Sequence, residues 1–360
     1  MSQSAPSVQI NEDKMNAFLG KVVGDFGASL SSVLAYIGTK LGLYQALADA
    51  PDGGLTSQEL AERTGTSERY VREWLLNQAA GEYVYYDPET GKYSLLPEQK
   101  VALTDESSPF YVGGGFYVVK ALMNAQRRIA EAFRTGDGMH WGEHDPDMFI
   151  GTEKFFRPGY TAHLINEWIP ALTGVEEKLR HGARVADVGC GHGASTIMMA
   201  QAYPNSRFFG YDNHPASIEK ARERAEEAGV GDRVTFEVAK STDYPNEQFD
   251  LIAFFDCLHD MGDPEGAAKH AHECLKLDGS VMIVEPMAGN TVEENFNIVG
   301  RTFSAASTLC CTANAIAQGG KGLGAVASED ALRGAVTSGG FGEFRRATET
   351  PFNRVFEARK

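Results

Sequence analysis

The sequence predicts an α/β fold: a doubly wound parallel sheet with helices on both faces, preceded by an N-terminal helical winged-helix domain. Three observations carry this. From Ala183 onward, short apolar strands alternate with amphipathic helices. Before about Leu172 the apolar residues recur at helical spacing instead. Between Leu55 and Pro97, two short helix patterns are followed by two tyrosine-rich strand patterns. The 360 residues, 42% of them hydrophobic, are enough for two domains with separate cores.

The elements follow in order. Residues 1–14 read as a polar tail without the apolar stretch of a secretory signal. Lys14 to Asp49 reads as helix, with Phe18, Val22, Phe26, Leu30, Leu34 and Ile37 on one stripe. Thr56 and Glu59 form a capping box before the next helix. Gly65 turns the chain, and Ser67 is placed to cap a helix holding Val71, Trp74 and Leu75. Tyr83–Tyr86, a Pro-Glu-Thr-Gly turn and Tyr93–Leu96 read as a hairpin, the wing. Ser108 to Leu172 reads as helical around a polar aromatic loop, MHWGEHDPDMF. Beyond it, RVADVG, RFFGYD, VTFEVA, LIAFFD and SVMIVEP read as strands, and FGEFRRATETPFNRVFEAR as a terminal hairpin. This divides the chain into residues 1–107, a helical connector over 108–172 and the sheet domain over 173–360.

The net charge of −16 disfavours nucleic acid and anionic lipid as partners. No uninterrupted run of about 20 apolar residues occurs, so no membrane span is expected. Five cysteines without paired spacing fit a reducing, cytoplasmic setting. Adjacent Cys310 and Cys311 are small buried hydrophobes or a site for a thiophilic ion.

The sharpest motif is Val185-Ala-Asp-Val-Gly-Cys-Gly-His-Gly-Ala-Ser195. A strand carrying Asp187 runs into Gly189, Gly191 and Gly193, where glycine lets the backbone turn and approach a ligand. The second strand ends in Asp212, a carboxylate suited to the two hydroxyls of a ribose. The bare spacing also fits a dinucleotide fingerprint. Asp187 separates the two readings: a carboxylate beside the glycines repels a pyrophosphate and suits a cationic, phosphate-free ligand.

On these residues the chain resembles class I S-adenosylmethionine-dependent methyltransferases, whose sheet is Rossmann-like. The resemblance is strong from Ala183 to Glu285. It implies S-adenosyl-L-methionine as cofactor, with S-adenosyl-L-homocysteine as product. It places Gly189, Gly191 and Gly193 toward the methionine part, Asp212 on the ribose and Asn213 beside the adenine. After the third strand the family often carries an acidic residue; this chain has Ala239 and Lys240, and Lys cannot accept the adenine amino hydrogen bond.

The fourth strand leads into Asp256-Cys-Leu-His-Asp-Met261. Ligands of an open parallel sheet sit beyond the carboxyl ends of its strands, so His259 falls near the donor. A neutral imidazole near pH 7 can take a hydroxyl proton. The stretch is similar to the L-H-D-W of winged-helix small-molecule O-methyltransferases, in which that His is the general base. Met261 replaces the Trp. By the same resemblance Glu285 orients the base, with Asp260 the second candidate. Alternatively, His259 only caps a loop and catalysis works by proximity. The paired-proline signature of N-methyltransferases is absent after this strand.

Two further clusters stand out. His140, Glu143, His144 and Asp145 share one glycine-rich loop, too irregular for a helical metal site, and line a pocket or face solvent. Tyr160, with Arg157, is placed to reach the methionine carboxylate or the acceptor. In the similar O-methyltransferases the N-terminal part forms a homodimer and helps wall the pocket for a small-molecule acceptor. The competing reading is a transcription regulator that senses S-adenosylmethionine. Charge opposes it: Leu55 to Phe110 holds five Lys or Arg against ten Asp or Glu.

Overall fold

The computed structural model describes residues 10–51 and 53–360. Most of the expected N-terminal tail, residues 1–9, lies outside them. The chain divides into two compact units, one through Lys120 and one from Ala121 to Lys360.

The first unit contains α1 (Glu12–Lys40), α2 (Leu43–Ala48), α3 (Ser57–Thr64), α4 (Glu68–Ala80), β1 (Tyr85–Asp87), β2 (Lys92–Ser94) and α5 (Pro97–Thr104). The single expected helix over 14–49 is two, because Gly42 takes a left-handed φ of 70° and breaks it. At Gly38 α1 lies so close to Trp74 that a Cβ would sit 2.4 Å from the indole, and Trp74 Nε1 donates to the Leu34 carbonyl at 2.8 Å. The Thr56–Glu59 capping box forms, with Thr56 N donating to Glu59 Oε2 at 2.7 Å and Glu59 N to Thr56 Oγ1 at 3.2 Å. Ser67 stands at the N-cap of α4, but its side chain makes no capping bond. The wing is an antiparallel pair with Tyr85 opposite Ser94 and Asp87 opposite Lys92.

Most of α1 is outside this core. Phe18, Leu19, Val23, Phe26 and Leu30 are exposed, while Leu43, Tyr44, Leu60, Trp74 and Leu75 are buried. By length and composition α1 is long and apolar enough to cross a bilayer. This corrects the expectation of no such segment: Lys21 and Asp25 interrupt the apolar run, yet pair with each other at 2.6 Å one turn apart.

Helix α6 (Gly113–Asn124) leads into the second unit. There α7 (Gln126–Thr135), α8 (Asp147–His163) and α9 (Val175–His181) precede alternating elements. These are β3 (Arg184–Val188), α10 (Ala194–Ala202), β4 (Arg207–Asp212), α11 (Pro215–Glu227), β5 (Val234–Val238), β6 (Phe249–Phe255), α12 (Pro264–Cys274) and β7 (Leu275–Pro286). Next come α13 (Ile298–Ala306), α14 (Thr312–Ala317), α15 (Glu329–Ser338), β8 (Glu343–Glu349) and β9 (Asn353–Arg359). One seven-stranded sheet runs in the order β5-β4-β3-β6-β7-β9-β8. Its first five strands are parallel, and β9 and β8 add an antiparallel edge. The Rossmann-like reading therefore holds, with the terminal hairpin built into the sheet.

Cores lie on both faces of the sheet. One gathers Leu164, Trp168, Val185, Phe208, Ile218 and Leu251; the other gathers Val188, Ile252, Phe254, Leu258, Leu332 and Phe356. Because Tyr160, Leu164, Trp168, Ile169 and Leu172 join the first core, most of the expected connector is not a separate piece.

Candidate active site

The site lies where β3 and β4 end beside β6, at the carboxyl edge of the parallel strands. A pocket of about 190 Å³ opens there. Its walls come from the β3–α10 loop (Gly189 to His192, Ala194 and Ser195), the end of β4 (Asp212, Asn213), Ala239 and Ser241 after β5, and Asp256, Cys257, Asp260 and Met261 after β6. Trp141, Phe149, Phe156 and Tyr160 close it from the segment before the sheet.

The three glycines all have left-handed φ, at 79°, 52° and 78°, but they act differently. A Cβ on Gly189 would press on Cys257 Sγ at 2.8 Å, and one on Gly193 would meet the Phe236 ring at 2.6 Å. A Cβ on Gly191 would meet nothing within 4 Å, and Gly191 is on the pocket wall. Gly191 is thus the glycine open to the pocket, while Gly193 serves the packing of helix on sheet and is absent from the wall.

Asp212 accepts from Gly191 N at 2.9 Å with one oxygen and from His214 N at 2.8 Å with the other. Burial pushes its carboxyl up, against these backbone donors. Asp187 stands behind the loop, fully buried. Its Oδ2 accepts from Ser195 Oγ and Thr196 Oγ1, both at 2.6 Å, and its Oδ1 has no partner. Burial lifts it to about 6, against the two hydroxyl bonds. Lys240 is not on the wall, and its backbone N–H is bound to Asp243 Oδ1 at 2.8 Å. Asn213 and Ala239 are on the wall.

Asp256 has a φ of 51°, which Asp tolerates better than most side chains. Its Oδ2 accepts from Tyr160 Oη at 3.0 Å and its Oδ1 from Asn353 Nδ2 at 2.8 Å. Burial, then the nearby Glu285, raises it to about 8. Burial also pushes the Tyr160 phenol up. Arg157 does not reach the wall; it faces Glu153 at 3.6 Å.

His259 is buried just behind Asp260 and Met261 and does not line the pocket, nor does Glu285. Its Nδ1 sits 2.6 Å from Glu285 Oε2, and its backbone N donates to Glu285 Oε1 at 3.2 Å. The sequence pairing of these two residues is therefore a real contact across β7. Burial alone would lower the imidazole. Glu285 and then Cys311 outweigh burial and raise it well above its ordinary value. Asp260 lines the pocket and is raised by burial, against the nearby His259; the carboxylate at His259 Nδ1 is that of Glu285.

The loop with His140 and His144 is a short 3₁₀ turn over Trp141–Glu143. His140 uses its backbone N–H on Glu143 Oε1, whereas His144 is buried beside Trp141 with both ring nitrogens unpartnered. Trp141 N donates to Asn314 Oδ1 at 3.0 Å, and Phe149 stacks on His214 with ring centres 4.6 Å apart. Asn314, Asn353, Trp141 and Phe149 were not singled out from the sequence, because their partners lie far along the chain and no spacing announces them.

Comparison with known proteins agrees with this architecture. Residues 179–332 match the family model of a methyltransferase domain, and residues 28–105 match that of an Rv2258c-like winged HTH domain. The chain is 35% identical over 107 residues to the 27-O-demethylrifamycin SV methyltransferase of Amycolatopsis mediterranei, covering 29% of this chain and 39% of that protein. It is 39% identical over 94 residues to the trans-aconitate 2-methyltransferase of Streptomyces coelicolor, covering 26% and 31%. The chain thus spans well under half the length of these curated relatives. Across nearly the whole chain the fold is that of the mitomycin 7-O-methyltransferase MmcR (TM-score 0.74, 17% identity, 97% of this chain and 100% of that one). It is also that of human N-acetylserotonin methyltransferase in complex with SAM (TM-score 0.73, 16% identity, 100% and 99%). The second unit carries a methyltransferase domain, and the first a winged helix-turn-helix.

Proposed function

We propose that this chain transfers the methyl group of S-adenosyl-L-methionine to a hydroxyl of a small molecule, releasing S-adenosyl-L-homocysteine. The observation that carries the reading is the wall formed by Gly191, open at its Cβ, beside the buried Asp212 carboxyl. Such a wall admits a ligand against the backbone and offers its hydroxyls an acceptor. When bound, the donor supplies an electrophilic methyl carried on a cationic sulfonium.

The chain's own residues have separate tasks. Gly189 and Gly191 shape the loop, and Asp212 and Asn213 hold the ribose and adenine side, with Ala239 framing it. Asp187 stays behind the loop, where Ser195 and Thr196 tie it to the start of α10. Asp256, held by Tyr160 and Asn353, faces the cationic end. His259, backed by Glu285, receives the acceptor's proton. The aromatic wall of Trp141, Phe149 and Phe156 suits a planar or lipophilic acceptor. The exposed apolar face of α1 suits a second copy of the chain in a homodimer.

A sensor role is disfavoured by the surface of α4. There Arg69 is paired with Glu73 at 2.6 Å and Arg72 with Glu68 at 2.7 Å, which leaves little net positive field for DNA. The test is calorimetry with S-adenosylhomocysteine, followed by incubation of the full chain with methyl-labelled donor and a panel of hydroxylated metabolites. Binding plus a labelled ether product supports the enzyme. Donor binding with no product, together with DNA binding that weakens steeply with salt, supports the sensor.

A further inference from the structure

The pocket wall carries the carboxyl groups of Glu153, Asp212, Asp256 and Asp260 and, among the described residues, no Lys or Arg. Three of these carboxyls are engaged. Asp212 accepts from two backbone N–H groups, Asp256 from Tyr160 and Asn353, and Glu153 from Arg224 at 2.9 Å. The Asp260 carboxyl makes no hydrogen bond with any described residue, and the nearby His259 gives its Nδ1 to Glu285. A carboxyl withdrawn from bulk water and lacking a donor costs free energy until a ligand supplies one.

One buried side chain places Asp260 on the wall together with an aromatic ring. Asn314 Nδ2 donates to the Asp260 carbonyl at 3.1 Å, while Asn314 Oδ1 accepts from Trp141 N at 3.0 Å. On the other side, Gly324 N donates to the His259 carbonyl at 3.0 Å and fixes the turn. Carboxyl and indole therefore line the same pocket, each tied by its own backbone to the same amide. Such a pair recognises an ammonium group. The carboxylate accepts its N–H donors and balances its charge, and the ring offers the face of its π system.

We propose that the methyl acceptor is an amine-bearing hydroxylated molecule, and that Asp260 and Trp141 bind its ammonium group. The inference rests on the methyl-transfer reading and adds the charge of the acceptor to it. Under that reading Asp212 and Asp256 serve the donor, and Glu153 is paired with Arg224, so Asp260 is the wall carboxyl left for the acceptor. An acceptor carrying a carboxylate or phosphate meets no cationic side chain on this wall. Burial favours the neutral acid at Asp260, against the nearby His259. An ammonium at hydrogen-bond distance favours the ionised form instead, so its binding releases a proton.

The test is calorimetry on the full chain saturated with S-adenosylhomocysteine. The probes are matched in shape and differ in charge: tyramine, 4-ethylphenol and 4-hydroxyphenylacetate, with the corresponding catechols. The cations should bind about tenfold or more tighter than the neutral probes, and the anions not measurably. In buffers of different ionisation enthalpy, only the cations should release a proton. Asp260→Asn should remove both the preference and the proton release. It should keep its affinity for S-adenosylhomocysteine, which also reports that the variant is folded. Trp141→Leu should reduce the preference by a smaller factor. Equal binding of cation and neutral probe, an anion bound as tightly as its cation, or no binding by any cation overturns the proposal. So does an Asp260→Asn variant that keeps the preference. Where the variant fails to fold, the wild-type series decides. Failure of S-adenosylhomocysteine itself to bind is a separate result, and it removes the methyl-transfer reading along with this one.

Discussion

The carboxylate of Asp212 reaches back 21 residues to accept the backbone N–H of Gly191 at 2.9 Å. The same group that we propose takes the donor's ribose therefore also holds the shape of the glycine loop. Asp212→Ala should weaken S-adenosylhomocysteine by about 2–4 kcal/mol, because a charge-assisted contact and a backbone anchor go together. Asp212→Asn, which keeps one acceptor oxygen, should lose less. Calorimetry showing unchanged affinity in both would remove Asp212 from the site.

Two neighbouring glycines should fail in different ways. Gly191→Val puts bulk into open pocket space at a left-handed φ, so affinity should vanish while the fold survives at a cost of about 1–2 kcal/mol. Gly193→Ala drives a methyl into Phe236 and should lower the melting temperature by several degrees before binding is considered. Equal loss of stability in both variants would contradict this division.

His259→Ala should slow turnover about a hundredfold or more with little change in donor affinity, and Glu285→Gln should slow it less. Because Glu285 and Cys311 raise the imidazole well above its ordinary value, the rate should climb with pH and level off above the range of a free histidine. A rate already flat at pH 6.5, or a wild-type rate in His259→Ala, would leave proximity as the whole of catalysis.

Asp256, lifted to about 8, is mostly protonated at pH 7. A cation arriving beside it favours ionisation, so donor binding should release a proton near pH 7. Calorimetry in buffers of different ionisation enthalpy measures it, and Asp256→Asn should abolish it. Stability should follow the same group. Its folded value is above the unfolded one, so its contribution is full below about pH 4 and is lost as pH rises through 8. Asp256→Asn, which keeps the left-handed backbone tolerable, should flatten that decline in thermal unfolding.

Deleting the residues before Pro51 removes the apolar face of α1 and should yield monomers or insoluble protein. Light scattering on the full chain at micromolar concentration should give twice the chain mass. A full-length monomer would dismiss the homodimer.

The parallel sheet was legible because each strand from Arg184 to Pro286 is a short apolar run bounded by turn residues. Its antiparallel partner β9 read only as a hairpin, since nothing local says which strand a hairpin joins. Asp212 and the Glu285–His259 contact could be placed because they end strands, where position follows from topology. Gly193 could not be separated from Gly191 by sequence, as both meet the motif and only Phe236 distinguishes them. The π turn at Ser307–Cys311 was not foreseen either, since no apolar periodicity reveals it.

Asn353 holds Asp256 from 97 residues downstream, and Arg354 beside it donates to the Pro286 and Ala327 carbonyls. During synthesis, then, the glycine loop and β3 to β7 leave the ribosome well before the strand that completes their sheet. At about 5–20 residues per second, β7 waits some seconds with an unpaired edge. The nascent chain is exposed to wrong pairing for that interval, and a message cut short before codon 353 would yield a sheet with its donor loop present and its Asp256 unmoored.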